Sequence, residues 1–191
     1  YERTVGEEFG KVIPGIFTDE PHIRPTTGAT WFTDMFERYQ QRWGYDLRTE
    51  LPKLFDEVGD DWRLIRHNYR QFLMEMKEER WTKPWREYCD AHNLKWTGHY
   101  WEHEWPNPHV SPDYVMMETY FDIPGIDILF NQYDETHHKG QFGNVRSPRE
   151  IQSLADQMGN PRTVAEIYAG SGWEFSFYDM KRQTDWINVL G

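Results

Sequence analysis

Two short segments of the chain place carboxylates, aromatic rings and a proline directly after an apolar or alternating run. Residues 13–21 end in Asp19, Glu20 and Pro21, and residues 97–106 alternate titratable with aromatic side chains. A carboxyl group can protonate a leaving oxygen or attack a carbon, and an aromatic face stacks on the apolar face of a pyranose ring. The two segments therefore predict a carbohydrate-cleaving site at the ends of strands.

The candidate acid and base residues are glutamates that follow, or lie near the end of, different predicted strands. Glu20 and Glu104 are the first candidates for the two roles. Glu102 is the alternative to Glu104, and Glu166 is the next candidate for either role. In such a pair one glutamate protonates the glycosidic oxygen while the other activates water or attacks the anomeric carbon. The substrate-binding candidates carry a ring or a hydrogen-bonding group; they are Asp19, His99, Tyr100, Trp101, His103, Trp105, Asn131, Tyr133 and Trp173.

A zinc site is the alternative interpretation of the second segment. The spacing His99-x-x-Glu102-His103 matches the inverted zinc-protease pattern, which needs its two histidines one helical turn apart. Gly98 before the cluster and Pro106 after it favour a strand and a loop instead. The histidines are therefore interpreted first as hydrogen-bond donors to sugar hydroxyls, and no metal ligand is assigned.

Composition narrows the class of partner. The net charge is −11 with the acids scattered along the chain, which argues against nucleic acid, because phosphates require a basic footprint. Aromatic residues make up 17% of the 191 residues, in line with a carbohydrate-facing cleft. No apolar run is long enough to span a membrane. A single cysteine, Cys89, excludes an internal disulfide and is expected to be a buried thiol.

Hydrophobic periodicity predicts that strands and helices alternate along the chain. The predicted strands cover about residues 12–18, 94–99, 126–130 and 163–168. The predicted helices cover about residues 30–43, 50–58, 61–92, 112–120, 147–159 and 177–189. Asp127 lies inside the third strand, where a carboxylate needs a partner and is more often structural than catalytic.

Local signals set several of these boundaries. Thr30 is expected to cap the first helix and Gly44 to end it. Pro84 should kink or split the long helix that covers residues 61–92. Ser147 followed by Pro148 is the clearest helix start in the chain, after a polar loop over residues 131–146.

Four strands separated by helices imply parallel pairing with right-handed crossovers. No glycine-rich phosphate loop follows any predicted strand, which argues against a nucleotide-binding doubly wound sheet. Candidate catalytic residues follow several different strands, which favours a barrel. The predicted fold is thus α/β, a partial (β/α)8 TIM barrel of about four βα units with helices outside. Residues 1–191 are expected to be a single segment of a longer catalytic domain, whose open barrel edges should promote self-association.

Five motifs, in their order and spacing, resemble the catalytic barrel of large bacterial glycoside hydrolases, in particular the α-L-rhamnosidase-like enzymes that degrade plant polysaccharides. They are Ile-Pro-Gly-Ile-Phe-Thr-Asp-Glu-Pro at 13–21, Arg-Trp-Gly-Tyr-Asp-Leu at 42–47, Leu-Pro-Lys-Leu-Phe at 51–55, residues 97–104, and Ala-Glu-Ile-Tyr-Ala-Gly-Ser-Gly-Trp at 165–173. The resemblance implies a (β/α)8 barrel, periplasmic or secreted glycan breakdown, and Glu20, Glu104 or Glu102, and Glu166 as acid and base. It also implies calcium as a candidate ion near the site; no other cofactor is expected.

Two other functions compete with glycoside hydrolysis of an oligosaccharide or polysaccharide. One is a non-catalytic carbohydrate-binding or scaffold fragment, which would keep the aromatic cleft without a working acid/base pair. The other is a zinc hydrolase built on His99 and His103. Binding without cleavage would favour the first, and stoichiometric zinc in the purified protein would favour the second.

Overall fold

The computed structural model describes residues 1–23, 25, 28–100, 113–129 and 138–191, with the backbone alone for residues 138–144. Within these ranges the chain is a mixed α/β structure with two short parallel two-stranded sheets. The strands are β1 (Gly15–Asp19), β2 (Lys95–His99), β3 (Gly125–Ile128) and β4 (Val164–Ile167). All four overlap the predicted strand segments; β1 ends one residue later and β3 begins one residue earlier than predicted.

Most of the helices lie in the connections between these strands, with one before β1 and one after β4. They are α1 (Glu2–Val5), α2 (Met35–Trp43), α3 (Leu47–Phe55), α4 (Trp62–Lys77), α5 (Lys83–Ala91), α6 (Tyr114–Glu118), α7 (His138–Met158) and α8 (Phe177–Leu190). A short 3₁₀ turn, Gly6–Glu8, follows α1, and a π-helical segment, Glu78–Thr82, joins α4 to α5. No helix in the described part of the chain combines the length and the apolar character needed to cross a membrane.

The four strands are parallel and lie side by side in chain order. β1 pairs with β2 from Gly15↔Lys95 to Asp19↔His99, and β3 pairs with β4. A parallel bridge between Thr97 and Ile123 connects the two pairs, and the Thr97 hydroxyl donates a hydrogen bond to the Ile123 carbonyl at 2.8 Å. The carboxyl ends of all four strands therefore face the same side, as the alternation of strands and helices predicted.

Two glycines allow the central strands to approach each other closely. A Cβ atom on Gly98, which has a φ of +144°, would lie 2.0 Å from the carbonyl oxygen of Thr18 on β1. A Cβ atom on Gly125 would lie 2.1 Å from the carbonyl oxygen of Gly98. Any larger residue at either position would have to push neighbouring backbone apart.

The apolar side chains form two clusters. The first packs the strands against α5, α6 and α7; its fully buried members include Cys89, Trp96, Tyr100, Met117 and Ile151. The second joins α2, α3 and α4; its members include Met35, Tyr39, Leu47, Phe72 and Met76. Cys89 is thus the buried thiol that the sequence predicted.

The long predicted helix over residues 61–92 is interrupted near Pro84, as expected. α4 ends at Lys77, the π-helical segment takes up residues 78–82, and Pro84 lies in the first turn of α5, where its missing N–H costs no hydrogen bond.

The predicted starts of two helices, at residues 30 and 50, are wrong because of hydrogen bonds that the sequence pattern does not show. The Thr30 hydroxyl donates to the Ile23 carbonyl at 2.5 Å, so α2 begins only at Met35, although Gly44 ends it as predicted. α3 begins at Leu47 rather than at residue 50, because the Asp46 carboxylate accepts the backbone N–H of Arg48 and caps the helix earlier.

The predicted helix start at Ser147 and Pro148 is also wrong. Both residues lie inside α7, which begins at His138, so residues 138–146 of the expected loop are helical. Arg146 pairs with Glu150 one turn later at 2.5 Å and donates to the Tyr114 hydroxyl at 3.2 Å. These contacts extend the helix across a proline whose fixed φ is itself helical.

Gly98→Ala should destabilise the protein by about 3 kcal/mol, because the new methyl group collides with the Thr18 carbonyl. Gly44→Ala is the matched control, since Gly44 also has a positive φ but nothing within 4 Å of the added carbon, and it should cost only about 1 kcal/mol. Urea unfolding measures both. If both variants lost the same free energy of unfolding, β1 and β2 would leave room for a Cβ atom at residue 98.

Candidate functional site

Polar side chains from all four strands meet at the carboxyl edge of the sheets. Asp19 and His99 are register partners at the ends of β1 and β2. Asp127 and Glu166 are register partners one residue before the ends of β3 and β4. Because side chains alternate between the two faces of a strand, this shared register places the four groups on the same side.

His99 lies at the centre of this group. Its side chain is 1% exposed, and Nε2 lies 3.0 Å from Oε2 of Glu166 and 3.9 Å from Oδ1 of Asp19. Nε2 faces two carboxylates, so it carries the proton and donates to Glu166. The edge of the Phe17 ring packs against the imidazole at a centroid distance of 5.3 Å and fixes its plane.

The contact between His99 and Glu166 joins strands that are not neighbours. β3 lies between β2 and β4, so in a flat sheet the two side chains would rise from backbones about 10 Å apart. Their 3.0 Å hydrogen bond requires the two side chains to lean together over Asp127. Side chains from β2 and β4 therefore meet across the end of β3.

Asp127 lies beneath this hydrogen bond and is 6% exposed. Burial, together with the negative charges of Glu166 and Asp19 and against the opposing effect of His99, raises the pKa of its carboxyl to about 6. One ligand atom from each of His99, Asp127 and Glu166 lies within 4.8 Å of the others. The site thus holds a carboxyl that takes up a proton near neutral pH next to one that is half exposed.

Glu20 follows β1 in a strained backbone conformation. Its φ is +46°, a left-handed value that non-glycine residues rarely adopt, and its N–H donates to the His99 carbonyl at 3.2 Å. The strain turns the chain at the strand end, and the Glu20 carboxylate lies within 4.8 Å of Asp19 and His99. Tyr168, just after β4, has a similar φ of +77°.

Lys77 ties α4 to the ends of the first two strands. Its buried Nζ donates to the Pro21 carbonyl at 2.6 Å and lies 4.4 Å from the centroid of the Tyr100 ring. Burial lowers the pKa of this amine to about 7. The Lys77 side chain therefore holds the turn after Glu20 close to Tyr100, the residue that follows His99.

The structure brings together four of the predicted site residues: Asp19, Glu20, His99 and Glu166. Tyr100 is buried in the core, where its ring stacks on Phe121 at 5.4 Å. Trp173 is fully exposed after β4. The remaining candidates lie outside the described residues; they are Trp101, Glu102, His103, Glu104, Trp105, Asn131 and Tyr133.

Sequence reasoning undervalued Asp127 and did not find Lys77. Asp127 has the signal that identifies the others, a carboxylate one position from a strand end, but its apolar flanks favoured a structural role. Lys77 lies in an amphipathic helix, where a lysine normally points to solvent, and nothing local shows that its amine is buried. Only the packing of α4 over the strand ends reveals it.

Two overlapping groups of residues have the donor types for a cation. Asp19, Glu20 and His99 form one, and His99, Asp127 and Glu166 form the other. Carboxylate oxygens suit a hard ion such as Ca²⁺, whereas a shared imidazole also suits a transition metal. His99 belongs to both groups, and its Nε2 is engaged by Glu166.

Comparison with solved structures finds a similar fold in a rhamnosidase from Novosphingobium sp. PP1Y. The TM-score is 0.59 and the sequence identity 23%, and the match covers 85% of this chain and 15% of that one. No family model and no curated protein matches the chain. The likeness shows the mixed α/β fold alone, and this chain spans about 15% of the length of the rhamnosidase.

Asp127→Asn should change how stability depends on pH. The folded-state pKa of Asp127 is raised from 3.8 to about 6, so its protonated form stabilises the fold below pH 4, and this stabilisation is lost as the pH rises through 6. The variant should therefore gain up to about 3 kcal/mol over the wild type between pH 4 and 7.

Denaturant unfolding at several pH values measures this difference, with the exposed Asp60→Asn as the control. A wild type whose stability runs parallel to that of Asp127→Asn over this range would show that Asp127 does not titrate there.

Proposed function

We propose that this chain forms part of the catalytic (β/α)8 barrel of a glycoside hydrolase and contributes acid/base carboxylates to it. The observation that carries the proposal is the group around His99, where carboxylates from β1, β3 and β4 converge on one buried imidazole. Carboxylates that come together from the ends of separate strands are the arrangement that glycoside hydrolysis requires.

The order of the strands supports the barrel. A barrel wall consists of parallel strands in chain order with helices in the connections, and β1 to β4 follow this order. The hydrogen bond from β2 to β4 across β3 fits a wall that curves around its own side chains. A complete barrel needs further strands, which agrees with the small fraction of the rhamnosidase that the chain covers.

The roles of the carboxylates follow from their surroundings. Glu166 accepts a hydrogen bond from His99 at 3.0 Å and remains half exposed, so it is oriented and accessible, as a base or nucleophile must be. Glu20, held by the strained turn after β1, can approach a leaving oxygen from the neighbouring side. Glu104, with Glu102 as its alternative, remains the candidate acid from the segment after β2.

The proposed substrate is an α-L-rhamnoside or a related glycoside within a plant or other complex polysaccharide. The rhamnosidase with a similar fold supports this class, and the resemblance of the sequence motifs supports a bacterial enzyme that works in the periplasm or outside the cell.

Glu166→Gln and Glu20→Gln, made in the full-length protein, should each reduce the kcat for 4-nitrophenyl α-L-rhamnopyranoside by about 10²–10⁴-fold, because each removes an acid/base carboxylate. The exposed Glu57→Gln is the matched control and should keep wild-type turnover. Glycosidase activity that survives both site substitutions would refute this assignment.

Non-catalytic carbohydrate binding is a second candidate function, favoured by a cluster of exposed aromatic side chains. Trp173, Phe177 and Tyr178 are strongly exposed after β4, within six residues of each other. Calorimetry with oligosaccharides separates the two functions: binding without any cleavage, lost in Trp173→Ala, would favour this one.

Calcium is the proposed ion of the site, bound by the carboxylates of Asp19, Glu20, Asp127 and Glu166. Titration with CaCl₂ should raise the melting temperature of the wild type, because the ion binds only the folded protein. Asp127→Asn combined with Asp19→Asn should abolish this gain, while Asp60→Asn combined with Asp185→Asn, which removes the same charge elsewhere, should not. An equal gain in both double variants would place the ion outside this site.

A further inference from the structure

We infer that Lys77 is a positioning residue that, through the carbonyl of Pro21, holds the Glu20 carboxylate in the group around His99. The inference rests on the proposed function, in which Glu20 is one of the acid/base carboxylates. The Lys77 amine donates a hydrogen bond to the Pro21 carbonyl at 2.6 Å, and Pro21 directly follows Glu20. Lys77 therefore acts on Glu20 through the backbone.

Glu20 lies between two hydrogen bonds that restrain its backbone on both sides. Its own N–H donates to the His99 carbonyl at 3.2 Å, and the carbonyl of the next residue accepts from Lys77. The ring of Pro21 fixes one of the few backbone angles between these two bonds. The direction in which the Glu20 side chain leaves the backbone is therefore constrained by both contacts.

The backbone conformation of Glu20 requires such a restraint. Its φ of +46° is left-handed, which costs free energy in a residue with a Cβ atom, and a residue before proline has few other conformations available. A strained conformation persists only where the surrounding contacts determine it. Without the hydrogen bond from Lys77, we expect the turn to relax and the Glu20 carboxylate to move away from His99.

The amine of Lys77 is held in place by elements that lie outside this turn. It lies 4.4 Å from the centroid of the Tyr100 ring, which is buried directly after β2. Met76, the preceding residue of α4, is buried in the second apolar cluster. The Pro21 carbonyl is thereby tied to the end of β2, where His99 is the last residue.

Burial of this amine costs free energy that an apolar side chain at the same position would not. Lys77 is 6% exposed, and burial alone lowers the pKa of its amine to about 7. No ion pair in the described part of the chain involves Lys77. These surroundings favour a role in orienting the Pro21 carbonyl over a role in neutralising a nearby acid.

Hydrogen–deuterium exchange of the Lys77→Met variant of the full-length protein tests the positioning itself. The variant removes the amine and keeps a side chain of similar length. The Glu20 amide should exchange about tenfold faster than in the wild type, because the turn loses one of its two restraints. Mass spectrometry of fragments that resolve this amide measures the rate.

Lys11→Met is the matched control for the exchange experiment. Lys11 also donates to a backbone carbonyl, that of Glu7 at 2.7 Å, but at an exposed site. Its replacement should leave the exchange rate of the Glu20 amide at the wild-type value.

Steady-state kinetics of the same variants tests the consequence for catalysis. The kcat of Lys77→Met for 4-nitrophenyl α-L-rhamnopyranoside should fall about 10²-fold, because a displaced carboxylate is no longer aligned with the reacting atoms. The KM should change by less than about threefold, since the restraint acts on the transition state rather than on substrate binding. Lys11→Met should keep the wild-type kcat.

Lys77→Gln provides the same test if Lys77→Met does not fold. Its side chain stays polar but ends one bond short of the lysine amine, so it should also show faster exchange at Glu20 and a lower kcat. An unchanged exchange rate at Glu20 in these variants would overturn the inference. So would a normal kcat in them while Glu20→Gln loses turnover.

The proposed function fails separately from this inference. If Glu20→Gln and Glu166→Gln both keep full turnover, the proposed function is refuted, while faster exchange in Lys77→Met still supports the positioning of Glu20. If Glu20→Gln loses turnover and the exchange rate in Lys77→Met is unchanged, only this inference is refuted.

Discussion

The arrangement of the site depends on a hydrogen bond between β2 and β4, from Nε2 of His99 to the Glu166 carboxylate. It spans a strand that lies between them, β3, which approaches β2 closely at Gly98 and Gly125. The bond holds the half-exposed Glu166 carboxylate close to the buried Asp127, whose pKa is raised by burial. Without it, Glu166 would be an unrestrained side chain near the end of an edge strand.

The elements that the sequence predicts well are those with strong local signals. The four strands are apolar runs bounded by glycine, proline and charge, and the split near Pro84 and the end of α2 at Gly44 follow from backbone chemistry. Prediction was wrong where tertiary contacts engaged a cap or stabilised a helix across its apparent start, as at Thr30 and at Ser147. A single sequence does not show which hydroxyl will find a distant carbonyl.

Several residues of the candidate site were predicted from the sequence, but their arrangement relative to one another was not. Acidic residues at strand ends can be found by reading along the chain, so Asp19, Glu20 and Glu166 were expected together with His99. Register cannot be found in this way, and the register is what sets Asp127 opposite Glu166 and beneath His99. Lys77 depends on packing over a still longer range, because the helix that carries it must first lie across the ends of β1 and β2.

The left-handed backbone at Glu20 has a consequence for how this protein responds to selection in the laboratory. Glycine or asparagine would occupy that conformation with less strain, so folding alone favours the loss of the glutamate. A screen for heat resistance that ignores turnover would therefore enrich replacements at this position. In the function proposed above, thermal stability and catalysis make opposite demands on this position.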